Sequence, residues 1–205
     1  MILLVLENKL HLTNPADLAR AEECISKQNA VELFETGHLD ELNPGTVEAL
    51  AEIHRCLFSE IYAFAGKIRT VNLAKGNFRF APVLYLEAAL TAIEAMPQST
   101  FDEIIEKYVE MNIAHPFREG NGRSSRIWLD LMLKKELGQV VDWTRVDQED
   151  YLLAMERSPI KDLEIKQLLA AALTGEVNSR TVYQNGIDRS YEYEGFSFCR
   201  AAELG

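Results

Sequence analysis

No hydrophobic run in the sequence is long enough to cross a bilayer. The one strongly apolar terminal stretch, Met1 to Leu6, falls far short of the roughly 20 residues a spanning helix needs, and neither a basic n-region nor a small-residue cleavage site accompanies it. It reads as a short strand or packed arm, and a membrane is not expected as a partner. Cysteine is scarce. Cys24, Cys56 and Cys199 form no C-x-x-C pair and make an odd number, which fits neither a disulfide framework nor a cysteine zinc site and points to a reducing, cytoplasmic setting. Positive charge is also in deficit: 21 Lys and Arg stand against 32 Asp and Glu, a formal net charge of −11. Such a surface repels nucleic acid, so no nucleic-acid partner is expected and any phosphate chemistry must come from a local basic site. Repeats and low-complexity tracts are lacking too, which sets aside solenoids and disordered linkers.

What is present is an ordinary globular composition, 47% apolar over 205 residues, enough for one buried core. The fold class read from it is mostly α, because apolar residues recur at threes and fours. Leu50, Ile53, Leu57, Ile61 and Phe64 make one stripe in a helix predicted over 46–65, with Gly66 as its stop. Further helices are predicted over 83–96, from Thr100 (in capping-box spacing with Glu103) to about 114, over 121–137 before Gly138, over 148–157 and over 160–173. His115 precedes Pro116 and should end its helix. The exception is 69–80, RTVNLAKGNFRF, whose alternation around Lys75-Gly76 predicts a hairpin. Residues 175–186 read as a linker and 188–204 as a short helical tail.

The chemistry is concentrated in 115–126, HPFREGNGRSSR, where a loop enters a helix. Gly120 and Gly122 can aim successive backbone N–H groups into one concavity, and the following helix N-terminus adds its positive end. Arg123 and Arg126, three apart, share a helix face and offer guanidinium forks to phosphate oxygens. Glu119 can supply a hard oxygen to a phosphate-bound Mg²⁺, and His115 can take a proton from an attacking hydroxyl. Singly, each has a structural explanation: a helix-end histidine, a turn, a solvated basic face. Their conjunction is what transfer of a nucleotide from ATP requires.

This segment matches the motif HPFx(D/E)GNGRxxR at every specified position and so resembles the Fic family; KGNFRFAP at 75–82 resembles that family's flap. The resemblance implies a Fic-type helical core over 1–175, with the flap at about 67–82 and the catalytic loop at 115–126, and a protein adenylyltransferase activity that moves AMP from ATP to a Ser, Thr or Tyr hydroxyl of another protein. It assigns His115 as general base, Glu119 to Mg²⁺, Gly120, Asn121, Gly122 and Arg123 to an anion hole, and Arg126 to the γ-phosphate. Lys75, Gly76 and Asn77 would close over the nucleotide, while the flap edge would take the target protein as an added strand. Gly122 sets the chain apart from the phosphate-transferring, Doc-like branch. Ser190 to Gly195, SYEYEG, fits the family's inhibitory motif (S/T)xxxE(G/N), so 176–205 would be a linker and an inhibitory helix whose Glu194 competes for Arg126. Tyr191 and Tyr193 are candidates for self-modification, and a homo-oligomer formed through an exposed tail is left open. The alternatives are a bifunctional enzyme that also removes AMP, on account of Glu194, and a non-catalytic nucleotide-binding module.

Overall fold

Asn14 accepts at Oδ1 from the amides of Ala16 and Asp17, and Pro15 needs no amide partner in a first turn, so helix α1 (Pro15–Glu35) begins there. The sequence pattern does not mark this helix, because its inward face carries Glu22, Glu23 and Lys27, all buried. The structure, a computed structural model, describes residues 5–75, 78–195 and 197–204. After the one-turn α2 (His38–Glu41), Thr46 caps α3 (Val47–Phe58) through an acceptor bond from Ala49 N at 3.1 Å. Helix α3 stops at Phe58 rather than near Gly66. The chain then turns so that Ile61 and Tyr62 plug the core, with Ile61 O held by the amide of Lys9 at 2.8 Å.

The expected hairpin is present as β1 (Ala74–Lys75) and β2 (Phe78–Arg79), antiparallel, with Ala74 opposite Arg79 and Lys75 opposite Phe78. Gly76 and Asn77, assigned to its tip, lie outside the described residues. Helix α4 (Val83–Glu94) follows, then α5 (Phe101–Ala114), opened by the Thr100–Glu103 capping box, and α6 (Asn121–Leu137), closed by Gly138 at φ 62°. Helices α3, α5 and α6 pack together as the centre, α1 covers α3, and the last helix lies across α1 and α6. Ile53, Leu57, Ile104, Leu129 and Met132 are fully enclosed there, each contributing about 2 kcal/mol by leaving water.

Three further features depart from the sequence pattern. Helix α7 (Gln148–Arg157) is as expected, but α8 covers only Leu163–Ala170, because Leu173–Thr174 (β4) pairs antiparallel with Val140–Val141 (β3). The supposed linker contains most of helix α9 (Arg180–Glu192), capped by Ser179. Its composition looks like a loop, yet Tyr183 stacks on Phe34 at 4.5 Å, and Gly186 is a close approach rather than a turn: a Cβ there would stand 3.0 Å from Trp143 Cδ1. Finally, the odd cysteine count conceals a disulfide. Cys24 on α1 and Cys199 in the tail are bonded, with Cα atoms 5.6 Å apart, leaving Cys56 free. Spacing in sequence cannot show this, since the two lie at opposite ends of the chain. No helix among the described residues is long and apolar enough to cross a membrane.

Candidate functional site

Helix α5 ends at His115, which takes the left-handed conformation, φ 51° and ψ 63°, rare for a residue with a Cβ. Pro116 follows and forbids another helical turn. The half-buried imidazole stacks face to face on Phe80 from the far side of the flap, ring centroids 3.6 Å apart. From there the loop is braced by its own asparagine: Phe117 N donates to Asn121 Oδ1 at 2.7 Å and Asn121 Nδ2 donates to Phe117 O at 2.8 Å. The Asn121 side chain therefore shapes the loop, leaving its main chain as what it can offer an anion. Gly120, at φ 77°, makes the turn into α6 where a Cβ would strike Phe58 at 2.4 Å. The first-turn amides of α6 point out of the helix end, as an anion site requires.

Arg123 is fully buried in a cage of three carboxylates. It pairs with Glu22 of α1 through Nη1, with Glu119 through Nη2 at 3.0 Å and with Glu194 through Nε at 2.9 Å. Its guanidinium also lies over the rings of Phe58 and Tyr191. Arg126, one turn on, donates from Nε to Ser190 Oγ at 2.6 Å and from Nη2 to Ser190 O at 2.8 Å and Glu194 Oε1 at 3.0 Å. Thus Ser190 and Glu194 do meet Arg126, and Glu194 bridges both arginines. It does so from a turn just beyond α9, where Gly195 at φ 87° reverses the chain.

Glu119 keeps 42% of its side chain exposed. Burial of the rest, then the neighbouring Glu22 and Glu194, push its pKa up against the opposing pull of Arg123. The most exposed of the three carboxylates, Glu119 offers a hard oxygen at the open helix end, which fits a Mg²⁺ that takes its remaining ligands from phosphates and water. Nothing is described of the Lys75 side chain.

Tyr191 and Tyr193, the candidates for self-modification, are both buried. They are 1% and 4% exposed; Tyr191 donates to Ser26 Oγ at 2.5 Å, and Tyr193 donates to Val146 O at 3.0 Å and stacks on Tyr151. These rings seat the tail against its own chain. Three contributors carry no motif in the sequence. Glu22 is one. His54 is another: its Nδ1 accepts from Gly66 N at 2.8 Å, so Nε2 donates to Glu119 O at 2.8 Å, and burial lowers its pKa to about 4, keeping it neutral. The third is Arg69, beneath the flap. The hydrophobic setting of His54 and the basic start of the flap segment are the only signals of the last two.

Residues 44–133 match the Fic/DOC family model. That segment holds α3 to α5, all but the last turn of α6, the flap and the whole loop just described. The protein adenylyltransferase VbhT of Bartonella schoenbuchensis is 27% identical to 94% of this chain, which spans only 44% of VbhT's length. A probable protein adenylyltransferase of Sinorhizobium fredii, y4lH, is 29% identical over 78% of this chain and 85% of its own. Among solved structures, the N-terminal FIC domain of Bep8 from Bartonella sp. 1-1C superimposes with a TM-score of 0.71 at 16% identity, covering 84% of this chain and 92% of that one. BepC from Bartonella tribocorum, solved with AMPPNP bound, gives 0.67 at 18% identity, covering 83% and 92%. These findings support the Fic/DOC family, and the structural likenesses show the Fic-type fold.

Proposed function

We propose that this chain is a protein adenylyltransferase that transfers AMP from ATP to a hydroxyl of another protein, and that its tail holds it in check. The observation that carries the reading is the junction of α5 and α6, where a left-handed His115, the exposed Glu119 and two buried arginines converge on one helix N-terminus. In the proposed reaction His115 takes the proton of the target hydroxyl, whose oxygen forms a bond to the α-phosphorus as the bond to the bridging α–β oxygen breaks. Pyrophosphate carries away the electron pair. The amides of the α6 first turn and Arg123 hold phosphate oxygens, and Arg126 receives the γ-phosphate. Mg²⁺ on Glu119, when bound, neutralises charge on the leaving phosphates.

Glu194 supports the regulatory half of the proposal, since it occupies the guanidinium atoms that the terminal phosphate would need. The experiment is transfer of label from α-³²P-ATP with Mg²⁺ into the protein itself and a bacterial lysate. Glu194→Gly is expected to label strongly, and Glu194→Gly with His115→Ala to lose at least about 100-fold in rate, the usual worth of a general base, while still binding ATP. Equal labelling with and without His115 would overturn its role as base. ATP binding with no labelling by any variant would favour the non-catalytic module.

A further inference from the structure

Arg69 is 4% exposed, and every hydrogen bond of its side chain goes to main-chain carbonyl oxygen. Nε donates to His115 O at 2.7 Å and Nη2 to Ala114 O at 3.0 Å; these are the last carbonyls of α5, where a cation also meets the negative end of the helix. Nη1 donates to Val71 O at 2.7 Å, just before the flap's first strand, and Nη2 to Ala81 O at 2.6 Å, just after its second. The main chain repeats the tie: Arg69 N donates to Pro116 O at 2.8 Å and Ala81 N to Ile113 O at 3.1 Å. One guanidinium thus holds the carbonyl of the residue in the strained left-handed conformation and both legs of the hairpin whose Phe80 lies flat on the His115 ring.

We propose that Arg69 is a positioning residue for transfer, fixing the His115 imidazole and the root of the flap in one rigid unit so that base and flap keep their relative geometry. This rests on the reading of His115 as general base. The planar fork suits the role: its donors diverge in fixed directions and reach four carbonyls on three different stretches, whereas a lysine ammonium makes at most three bonds from a point. A guanidinium whose partners are all neutral carbonyls gives no ion-pair stabilisation in return for its burial, which is a reason to look for its use in geometry.

The test compares Arg69→Met and Arg69→Lys in the Glu194→Gly background, reading kcat, KM for ATP, ATP affinity, urea stability and amide hydrogen exchange. Misplacing a catalytic group by about 1 Å costs roughly 100-fold in rate. Arg69→Met should therefore lower kcat by about that factor with ATP affinity within about threefold, and speed exchange at 78–82 and 113–117 while amides of α3 and α6 keep theirs. Arg69→Lys, remaking part of the set, should recover part of the rate. If Arg69→Met is folded and keeps its rate, or if Arg69→Met unfolds while Arg69→Lys has full rate and full protection, Arg69 is a stability residue only and the proposal is overturned. Should Glu194→Gly itself transfer nothing, the adenylyltransferase reading fails by that result. The exchange measurement then decides Arg69 by itself: unchanged protection at 78–82 and 113–117 overturns it.

Discussion

Replacing Glu194 by glycine should raise activity and lower stability together, and the size of both follows from the contacts. Glu194 makes two charged contacts, 2.9 Å to Arg123 and 3.0 Å to Arg126, from a side chain 22% exposed. Arg123 keeps Glu22 and Glu119 after the change. Arg126 keeps Ser190 and Tyr151, which are neutral. Charge-assisted hydrogen bonds contribute about 1.5–3 kcal/mol each; discounted for partial exposure, the pair holds the carboxylate in place by about 2–4 kcal/mol. If the γ-phosphate must displace it, the fraction of molecules ready for productive ATP lies at about 10⁻¹·⁵ to 10⁻³, and kcat/KM should rise about 30- to 1,000-fold in Glu194→Gly. Label transfer at ATP well below KM reads this directly. Without nucleotide, the same variant should unfold at lower urea by about 2 kcal/mol, because Arg126 stays buried without its carboxylate, and ATP should restore part of that. An increase under threefold, with ATP binding intact, would refute the competition. A large increase with stability unchanged would show that the contacts do not hold the tail.

Reducing the Cys24–Cys199 disulfide, or making Cys199→Ser, opens a loop of separation 175, for which chain entropy alone gives about 5 kcal/mol; urea titrations with and without a reductant should show a loss of several kcal/mol in the parent and none further in the variant. His54 should titrate near pH 4 by NMR, with no change at neutral pH. Because its folded pKa lies below the unfolded value of 6.5, its share of stability is full above pH 6.5 and is lost as the pH falls to about 4, about 3 kcal/mol in all. Gly120→Ala sets a Cβ at positive φ against the Phe58 ring and should cost about 2–4 kcal/mol in thermal or urea unfolding, where Gly138→Ala, with nothing within 4 Å, should cost only the backbone penalty of about 1–2 kcal/mol.

The loop at 115–126 was legible because its residues are contiguous and each has a local job: Pro116 ends a helix, Gly120 makes the turn, and Arg123 and Arg126 share a face. The capping box at Thr100 and the glycine at 138 fixed two helix ends for the same reason. What escaped depends on distant partners. Helix α1 buries Glu22, Glu23 and Lys27, and charged residues on an inward face erase the apolar period; only their partners explain them, as when Lys27 Nζ meets Asp188 Oδ1 at 2.8 Å and Cys199 O at 2.6 Å. Helix α9 hides in a polar stretch because its apolar contacts are few and it is held by specific bonds and aromatic stacking. Arg69 reads as one more surface cation until the carbonyls around it are seen.

The division of labour within the tail bears on the proposed restraint. Around the helix end stand Glu22, Glu119 and Glu194 against Arg123 and Arg126, a formal balance of 2 − 3 = −1. Phosphates arriving there meet cations already outnumbered. Without Glu194 the balance is 2 − 2 = 0. Other residues of the tail do not need to move for this. Asp188 is tied to Lys27, Ser190 to Arg126, and Tyr191 and Tyr193 are packed in the core. Glu192 and Glu194 are both charged and partly exposed, but Glu192 still belongs to α9, whereas Glu194 sits beyond the last helical turn, beside a glycine that can swing it. Release of the proposed restraint therefore asks for rotation at 194–195, a far smaller change than undocking α9, and a variant that stiffens Gly195 should slow activation without weakening the helix.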